Sequence, residues 1–135
     1  MKKLIKYIVG FWLAVILFGG LMAYAFWSGK TMAPSQVKKQ WGHESLDIKK
    51  FRSSSHEVKA KMAYAIMTDK SFVGKSYEEI RELFRPNEGY YMNDTTPAYI
   101  IYDGSKSSEN TWQLVFRMDN NYKVRDVIMH KNCCN

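Results

Sequence analysis

The strongest pattern in the chain is an uninterrupted apolar segment near its N-terminus. From Tyr7 to Trp27 the sequence contains no charged residue, and three lysines precede it. A helix rises about 1.5 Å per residue, so about 20 apolar residues cross the hydrocarbon core of a bilayer. Tyr7 and Trp27 lie where interfacial aromatic residues are expected. The pattern predicts a transmembrane anchor over residues 1–27, with residues 7–27 in contact with the lipid bilayer.

A cleaved signal sequence is the alternative to this anchor. Ala23-Tyr24-Ala25 fits the A-x-A pattern after which signal peptidase cuts, and cleavage there would release a soluble secreted form. The apolar run is longer than the hydrophobic region of a usual signal sequence, and bulky Phe26 and Trp27 would directly follow the cut. These features favour the uncleaved anchor.

The orientation of the anchor is predicted from its flanking lysines. Lysines on the two sides nearly balance, at positions 2, 3 and 6 before the segment and 30, 38 and 39 after it. The N-terminal lysines lie closer, and short basic N-termini normally stay in the cytoplasm. We therefore expect a single-pass inner-membrane protein with its C-terminal domain in the periplasm.

The next residues, 28–52, are predicted to form a linker. Ser28, Gly29 and Pro34 interrupt a continuing helix. Four apolar residues in this stretch could dock on the folded body: Trp41, Leu46, Ile48 and Phe51.

Two short helices follow the linker in the predicted order of elements. The first covers residues 55–68, with apolar residues at helical spacing, and Ser54 and Glu57 have the spacing of a capping box. The second begins after Ser76, where Glu79 completes another capping box, and it ends before the next proline.

Three strands complete the predicted domain. They cover residues 99–102, 111–118 and 123–129, and the second has the alternation of a half-buried strand. The predicted fold is α+β and two-layered, with two helices packed on a three-stranded antiparallel sheet in the order α-α-β-β-β, preceded by one transmembrane helix. The domain is assigned to residues 53–132, with a Cys-Cys tail at 133–135.

Several short motifs of this domain resemble one family. They are Phe72-Val73-Gly74-Lys75-Ser76-Tyr77-Glu78-Glu79-Ile80, Leu83-Phe84-Arg85-Pro86, Tyr99-Ile100-Ile101-Tyr102, Leu114-Val115-Phe116 and Val124-Arg125-Asp126-Val127. In sequence and order they resemble the BamE-like (SmpA/OmlA) domains of bacterial envelope proteins. The resemblance covers residues 72–129, and here a membrane anchor replaces the lipoprotein cysteine. It implies the fold of those domains and a tendency to bind other proteins.

Charge and composition narrow the range of partners. The formal net charge is +7, which suits an anionic membrane surface or an acidic partner. The sequence shows no basic stripe interleaved with aromatic residues and no zinc-finger spacing, so a nucleic-acid partner is not expected.

Catalytic and metal-binding patterns are weak. Gly74-Lys75-Ser76 resembles the end of a phosphate-binding loop, but Asp69 stands where that loop requires glycine, so a helix N-cap is the preferred interpretation. The three histidines are scattered singly. Cys133 and Cys134 are adjacent in the sequence. They could be free thiols, form an intermolecular disulfide or form a disulfide with each other. We therefore expect a protein that has no enzymatic activity and binds no metal ion, no cofactor and no small-molecule substrate.

The candidate partner-binding residues are the aromatic residues around the predicted sheet, with one arginine. They are Tyr90, Tyr91, Tyr99, Tyr102, Trp112 and Arg117. Aromatic residues and arginine are common anchors of protein interfaces, although the same aromatic residues could instead fill the core. The sheet face opposite the helices, with Arg117 and Tyr99 on it, is where we expect the partner.

These patterns lead to two functional hypotheses. The first is a membrane-anchored periplasmic module of the bacterial cell envelope that binds or scaffolds another envelope protein without catalysis. The alternative is an immunity or inhibitor protein that neutralises a toxin or hydrolase in the periplasm.

Overall fold

The computed structural model describes residues 1–28, 31–86, 88–102 and 111–131. In chain order the elements are α1 (Lys2–Ser28), β1 (Thr31–Met32), α2 (Pro34–Trp41), α3 (Ile48–Ser53), α4 (His56–Thr68), a short 3₁₀ helix (Lys70–Phe72), α5 (Tyr77–Phe84), β2 (Ala98–Tyr102), β3 (Trp112–Met118) and β4 (Val124–Lys131). The predicted α+β class with an antiparallel sheet is confirmed, but the layout of the elements differs in detail.

The helix α1 forms most of the first of two compact units, and the second unit begins at Thr31. Within it, the most apolar part of Lys3–Ala25 has a mean hydropathy of 2.1, and its side chains are not buried by the rest of the protein. At about 1.5 Å per residue this stretch is about 35 Å long, which is enough to cross the hydrocarbon core. The predicted N-terminal apolar helix is therefore long and apolar enough to span a membrane.

The sheet of the second unit has four antiparallel strands in the order β1-β4-β3-β2. The strand that the sequence did not predict is β1, whose Thr31 and Met32 pair with His130 and Met129. A two-residue strand shows no alternation, and its partner lies at the far end of the chain. The three-stranded sheet of the prediction is thus corrected to four strands.

The predicted linker, residues 28–52, also differs from the structure. From Thr31 onwards it belongs to the folded unit and contributes β1, α2 and most of α3. Val37 and Phe51 are fully buried in the core. Pro34 occupies the first turn of α2, a position where its missing N–H costs nothing, so it begins this helix rather than interrupting one. The structure therefore has two short helices, α2 and α3, in addition to the two that the sequence predicts.

The two predicted helices are present, with one difference at a cap. Ser55, rather than Ser54, is the N-cap of α4, and no side-chain hydrogen bond caps it. At α5 the predicted capping box forms, since the Ser76 N–H donates to the Glu79 carboxylate at 2.6 Å and the Glu79 N–H donates to Ser76 Oγ at 3.2 Å. The hydrogen bond from the Ser76 backbone lowers the pKa of Glu79. Gly74, with φ of 85°, makes the turn before this cap.

Aromatic side chains fill the space between the helices and the sheet. Phe84 lies at the centre, with ring centroids 5.2 Å from both Phe51 and Phe116 and 5.6 Å from both Phe72 and Tyr99. These five residues are buried. Such tilted and edge-to-face pairs add to the free energy of burying apolar area.

The C-terminal end of α5 is held by two arginines in different ways. The guanidinium of Arg52 donates to the carbonyl oxygens of Leu83 and Glu82, which lie among the last carbonyls of the helix. Arg85 then takes φ 75° and ψ −179°, a region that only glycine adopts without strain. Its carbonyl oxygen accepts the hydrogen bond of the buried Tyr99 hydroxyl at 2.9 Å. The core thus fixes a strained residue at the exit of the helix.

Candidate protein-binding site

The sheet face opposite the helices is covered by a stretch of chain between α5 and β2. We call residues 88–93 the covering segment. On strand β3, Leu114 and Phe116 belong to the core, so the alternating Gln113, Val115 and Arg117 lie on the opposite face. Val115 is fully buried and Gln113 is 2% exposed. Among the described residues, Glu88, Gly89 and Tyr90 are bonded to Ala98 and Gln113, so the covering segment contributes to the burial of this face.

Backbone hydrogen bonds attach the covering segment to the sheet. The N–H groups of Glu88 and Gly89 both donate to the Ala98 carbonyl at 3.0 Å, and Gln113 Nε2 donates to the Tyr90 carbonyl at 2.9 Å. A Cβ at position 89 would lie 2.5 Å from Gln113 Oε1. Glycine therefore allows the close approach that places the following residues over the face.

An ion pair between buried Lys59 and partly exposed Glu88 joins the start of the covering segment to α4. Lys59 is 4% exposed, and its Nζ lies 2.5 Å from Glu88 Oε1. His56 Nε2 lies 3.6 Å from the other oxygen of the same carboxylate. Because Lys59 is buried, Glu88 supplies the negative charge that makes its burial tolerable.

Asn93 closes the other end of the covering segment. Its Oδ1 accepts hydrogen bonds at 3.0 Å from the Thr95 N–H, the Thr95 hydroxyl and the Thr96 hydroxyl. Nearby, the Tyr77 hydroxyl donates to the Asp94 carbonyl at 3.1 Å. Both ends of the segment are therefore tied to the folded unit.

The middle of the covering segment places aromatic side chains on and above the sheet. The Tyr91 ring packs against His130 with an edge-to-face geometry and 5.0 Å between centroids. Tyr90 is 61% exposed and Met92 is 66% exposed, and the Tyr90 hydroxyl donates to the Met92 carbonyl at 2.9 Å. Met92 has φ of 61°, which methionine rarely adopts, so the segment holds a strained turn. We call Tyr90 and Met92 the exposed patch.

Arg117 lies on the covered face but does not present a free charge. Its Nε and one terminal nitrogen donate to the two oxygens of Asp126 at 2.6 and 2.5 Å, across β3 and β4. These hydrogen bonds, helped by Asp126's charge and by Tyr91, raise the pKa of Arg117. Such a bidentate pair mainly fixes the arrangement of the strands.

The structure separates the six predicted partner-binding residues rather than gathering them. Tyr99 is fully buried on the helix-covered face, so its predicted place on the opposite face is wrong, because its side chain fills the aromatic core. Tyr102 and Trp112 are half-buried partners at the β2–β3 end, where Trp112 packs edge-on against Trp41. Tyr90 and Tyr91 remain on the covering segment.

Two exposed side chains were missed by the sequence analysis. Met92 completes the exposed patch, and Tyr122, 60% exposed with φ of 56°, lies in the turn between β3 and β4. Tyr122 borders a cleft of about 300 Å³ between this turn and the start of α5. Asn93 and Asp94 follow Met92, and Asn120 and Asn121 precede Tyr122. Such residues indicate turns, which is the signal that could have identified both positions as exposed.

Within the described ranges, no group of three or more His, Cys, Asp or Glu side chains could hold a metal ion. No protein family, curated protein or solved structure matches the chain. The resemblance to BamE-like domains therefore stays a prediction.

Proposed function

We propose that the chain is a membrane-anchored module that binds another protein through the exposed patch. One observation carries the proposal: two large apolar side chains, Tyr90 and Met92, are each more than half exposed on a segment that is attached to the fold at or beside both ends. Exposed tyrosine and methionine are enriched at the centres of protein interfaces.

The attachment of the covering segment supports this role energetically. A flexible loop would lose conformational entropy on binding, which weakens affinity. Here the hydrogen bonds to Ala98 and Gln113, and the ion pair to Lys59, are already made in the free chain. A partner would therefore gain the burial of Tyr90 and Met92 without ordering the segment.

The proposed location is the bacterial cell envelope, with α1 in the inner membrane and the second unit in the periplasm. The length and hydropathy of α1 support the anchor, and the lysines near its N-terminus support a cytoplasmic N-terminus. The partner in this proposal is another envelope protein, and the module performs no catalysis. C-terminal fusions to alkaline phosphatase and to a green fluorescent protein test the orientation, since each is active on only one side of the membrane.

Site-specific photocrosslinking in intact cells tests the binding proposal. A photoreactive amino acid replaces Tyr90 or Met92 in the full chain, and the matched control carries it at Tyr122, an equally exposed tyrosine outside the patch. We expect one discrete crosslinked protein from positions 90 and 92 and none, or a different one, from 122. Equal crosslinking from all three positions, or none from 90 and 92, would contradict the proposal.

Serine substitutions give an independent test of the same patch. Tyr90→Ser with Met92→Ser should abolish recovery of the crosslinked protein by co-purification, whereas Tyr122→Ser should leave it unchanged. Because these side chains are exposed, the melting temperature should change little in either variant.

A further inference from the structure

The second unit carries an uneven distribution of charge. Its first third, residues 31–61, contains seven basic and three acidic residues, whereas nine basic and ten acidic residues follow in 62–135. The basic residues of the first third are Lys38, Lys39, Lys49, Lys50, Arg52, Lys59 and Lys61, and the acidic ones are Glu44, Asp47 and Glu57. The excess of positive charge thus lies in the part that follows the membrane helix.

Two of these basic residues serve the fold itself. Lys59 is buried against Glu88, and Arg52 donates to the carbonyl oxygens at the end of α5. The other five are exposed, and we call them the basic surface: Lys38, Lys39, Lys49, Lys50 and Lys61.

Side-chain contacts connect three lysines of the basic surface, one from each of α2, α3 and α4. Lys38 Nζ lies 5.2 Å from the centre of the Tyr64 ring, and Tyr64 lies one helical turn after Lys61 on α4. Glu44 then bridges Lys61 and Lys50, with Oε–Nζ distances of 4.0 and 2.9 Å. Glu44 therefore links Lys61 with Lys50, and Tyr64 lies between Lys61 and Lys38. Lys39 and Lys49 are the sequence neighbours of Lys38 and Lys50 on α2 and α3.

Acidic residues neutralise only part of this surface. Glu44 is shared by two lysines, and its hydrogen bond with Lys50 lowers its pKa. Asp47 caps α3 by accepting from the Lys50 N–H, and Glu57 lies one turn before Lys61 on α4. Helix α2 contains no acidic residue, so its two lysines keep their positive charge unopposed within the helix.

We infer that the basic surface rests on the anionic phospholipid headgroups of the membrane that α1 crosses. This inference depends on the proposed membrane anchoring but not on the protein-binding site. Only two residues lie between the end of α1 and the start of β1 in the sequence, so a second unit that follows a membrane-spanning α1 stays close to the membrane surface. A tethered unit needs only a weak attraction to remain bound, because its effective concentration at the surface is high.

The unequal charge also selects an orientation. Each lysine near an anionic membrane surface increases the affinity by about fivefold, and the rest of the second unit carries no compensating positive excess. Lipid headgroups therefore attract the surface that residues 31–61 form more strongly than the surface formed by the rest of the unit. The attraction is electrostatic and falls with added salt.

Amine acylation of the full-length protein in nanodiscs tests this inference. The discs contain phosphatidylcholine alone or phosphatidylcholine with phosphatidylglycerol, and mass spectrometry gives the acylation rate of each lysine. Lys38, Lys39 and Lys49 should react about fivefold more slowly in the anionic discs, and high salt should remove the difference. Exposed Lys70 and Lys123, outside the basic surface, should react equally in both discs and serve as internal controls.

A charge-reversal variant gives the matched comparison. In a K38E, K39E and K49E variant, Lys50 and Lys61 should lose their protection, whereas a K70E and K123E variant should keep it, with both variants folded by circular dichroism. Equal acylation of the basic surface in the two kinds of disc would overturn the inference. Protection that appears in both kinds of disc, and only after an acidic protein is added, would overturn it in favour of that partner.

The outcomes separate this inference from the proposed function. Extraction of the protein from membranes at alkaline pH would contradict the anchor, and both would fail. An anchored protein whose basic surface is unprotected would contradict the lipid contact alone, since photocrosslinking at positions 90 and 92 reports on a different surface.

Discussion

The two faces of the sheet are buried by different means. On the helix-covered face, aromatic rings from α3, α5 and two strands pack against one another, and the Tyr99 hydroxyl donates a hydrogen bond to the Arg85 carbonyl. On the other face the covering segment lies against Gln113, His130 and the ion pair of Arg117 with Asp126, and Val115 is also fully buried there. The first face is therefore buried by packed aromatic rings, and the second by a mixture of apolar and directed polar contacts.

This difference suggests a division of roles between the faces. Burial of apolar area is the largest favourable contribution to the free energy of folding, and it grows with the area removed from water. Hydrogen bonds contribute less in net terms, but they fix geometry. We therefore expect the helix-covered face to determine stability and the segment-covered face to position the exposed patch.

The largest effect should come from the centre of the aromatic core. Phe116→Ala should lower the free energy of unfolding by about 3–5 kcal/mol, because a fully buried ring is replaced by a cavity. Tyr91→Ala, on the other face, should cost only about 1 kcal/mol, because Tyr91 is half-buried. Urea unfolding measures both, with the milder Phe116→Leu in reserve if the alanine variant does not fold. Equal losses would remove the distinction between the faces.

The next effect concerns the ion pair between α4 and the covering segment. Glu88→Ala should cost about 2 kcal/mol, because it leaves the Lys59 ammonium buried without its carboxylate. Lys59→Met should cost less than about 1 kcal/mol, since the remaining Glu88 is partly in water and a thioether can pack on Phe51. Urea midpoints give the two values, and hydrogen exchange at Glu88 and Gly89 reports release of the segment. A larger loss for Lys59→Met would contradict this asymmetry.

Tyr99 gives the aromatic core a dependence on pH. Burial raises the pKa of Tyr99 well above its usual range, so the folded chain holds this proton more tightly than the unfolded chain. Its contribution to stability is therefore complete below about pH 10 and is lost as the pH rises further. Tyr99→Phe should cost about 1 kcal/mol at neutral pH and should reduce the alkaline loss. Urea midpoints measured from neutral to strongly alkaline pH test this, and parallel curves for the two proteins would contradict it.

The smallest effect is expected at the ion pair across β3 and β4. Arg117→Lys keeps the positive charge but loses the bidentate geometry, and it should cost only about 0.5 kcal/mol because the pair is partly exposed. Photocrosslinking at position 90 is the more sensitive measurement. Arg117 interacts with Tyr91, so the substitution should displace Tyr91 and lower the yield of the crosslinked protein from the neighbouring position 90. A loss of stability as large as that of Phe116→Ala would show that the polar face also determines stability.

Elements with local signals were predictable from the sequence. The capping box of Ser76 and Glu79 lies within four residues, and it placed α5 correctly. In contrast, β1 depends on pairing between Thr31 and His130, and α3 is buried because Phe51 meets Phe84 and Tyr99. No local pattern records partners so distant in sequence, so these elements appeared to be a linker.

The candidate site was predicted in part for the same reason. An aromatic side chain looks the same in sequence whether it fills a core or faces water, so Tyr99 and Tyr90 received the same role. Burial decides between them, and burial depends on which face of β2 a residue occupies and on what covers it. The hydrogen bonds that bring residues 88–93 across the sheet could not be read from the sequence, so only the turn residues Asn93 and Asp94 indicated that Met92 is exposed.

The shortness of β1 has a mechanical consequence. Thr31 pairs with His130 near the end of β4, so the chain segments that lead to α1 and to the C-terminus leave the sheet from neighbouring positions. A force that pulls these two ends apart acts along the hydrogen bonds of the antiparallel pair, so it loads them one after another rather than together. The two pairs of β1 would therefore open before any contact of the aromatic core is loaded. In mechanical terms, β1 is the first element of the folded unit that such a force would separate.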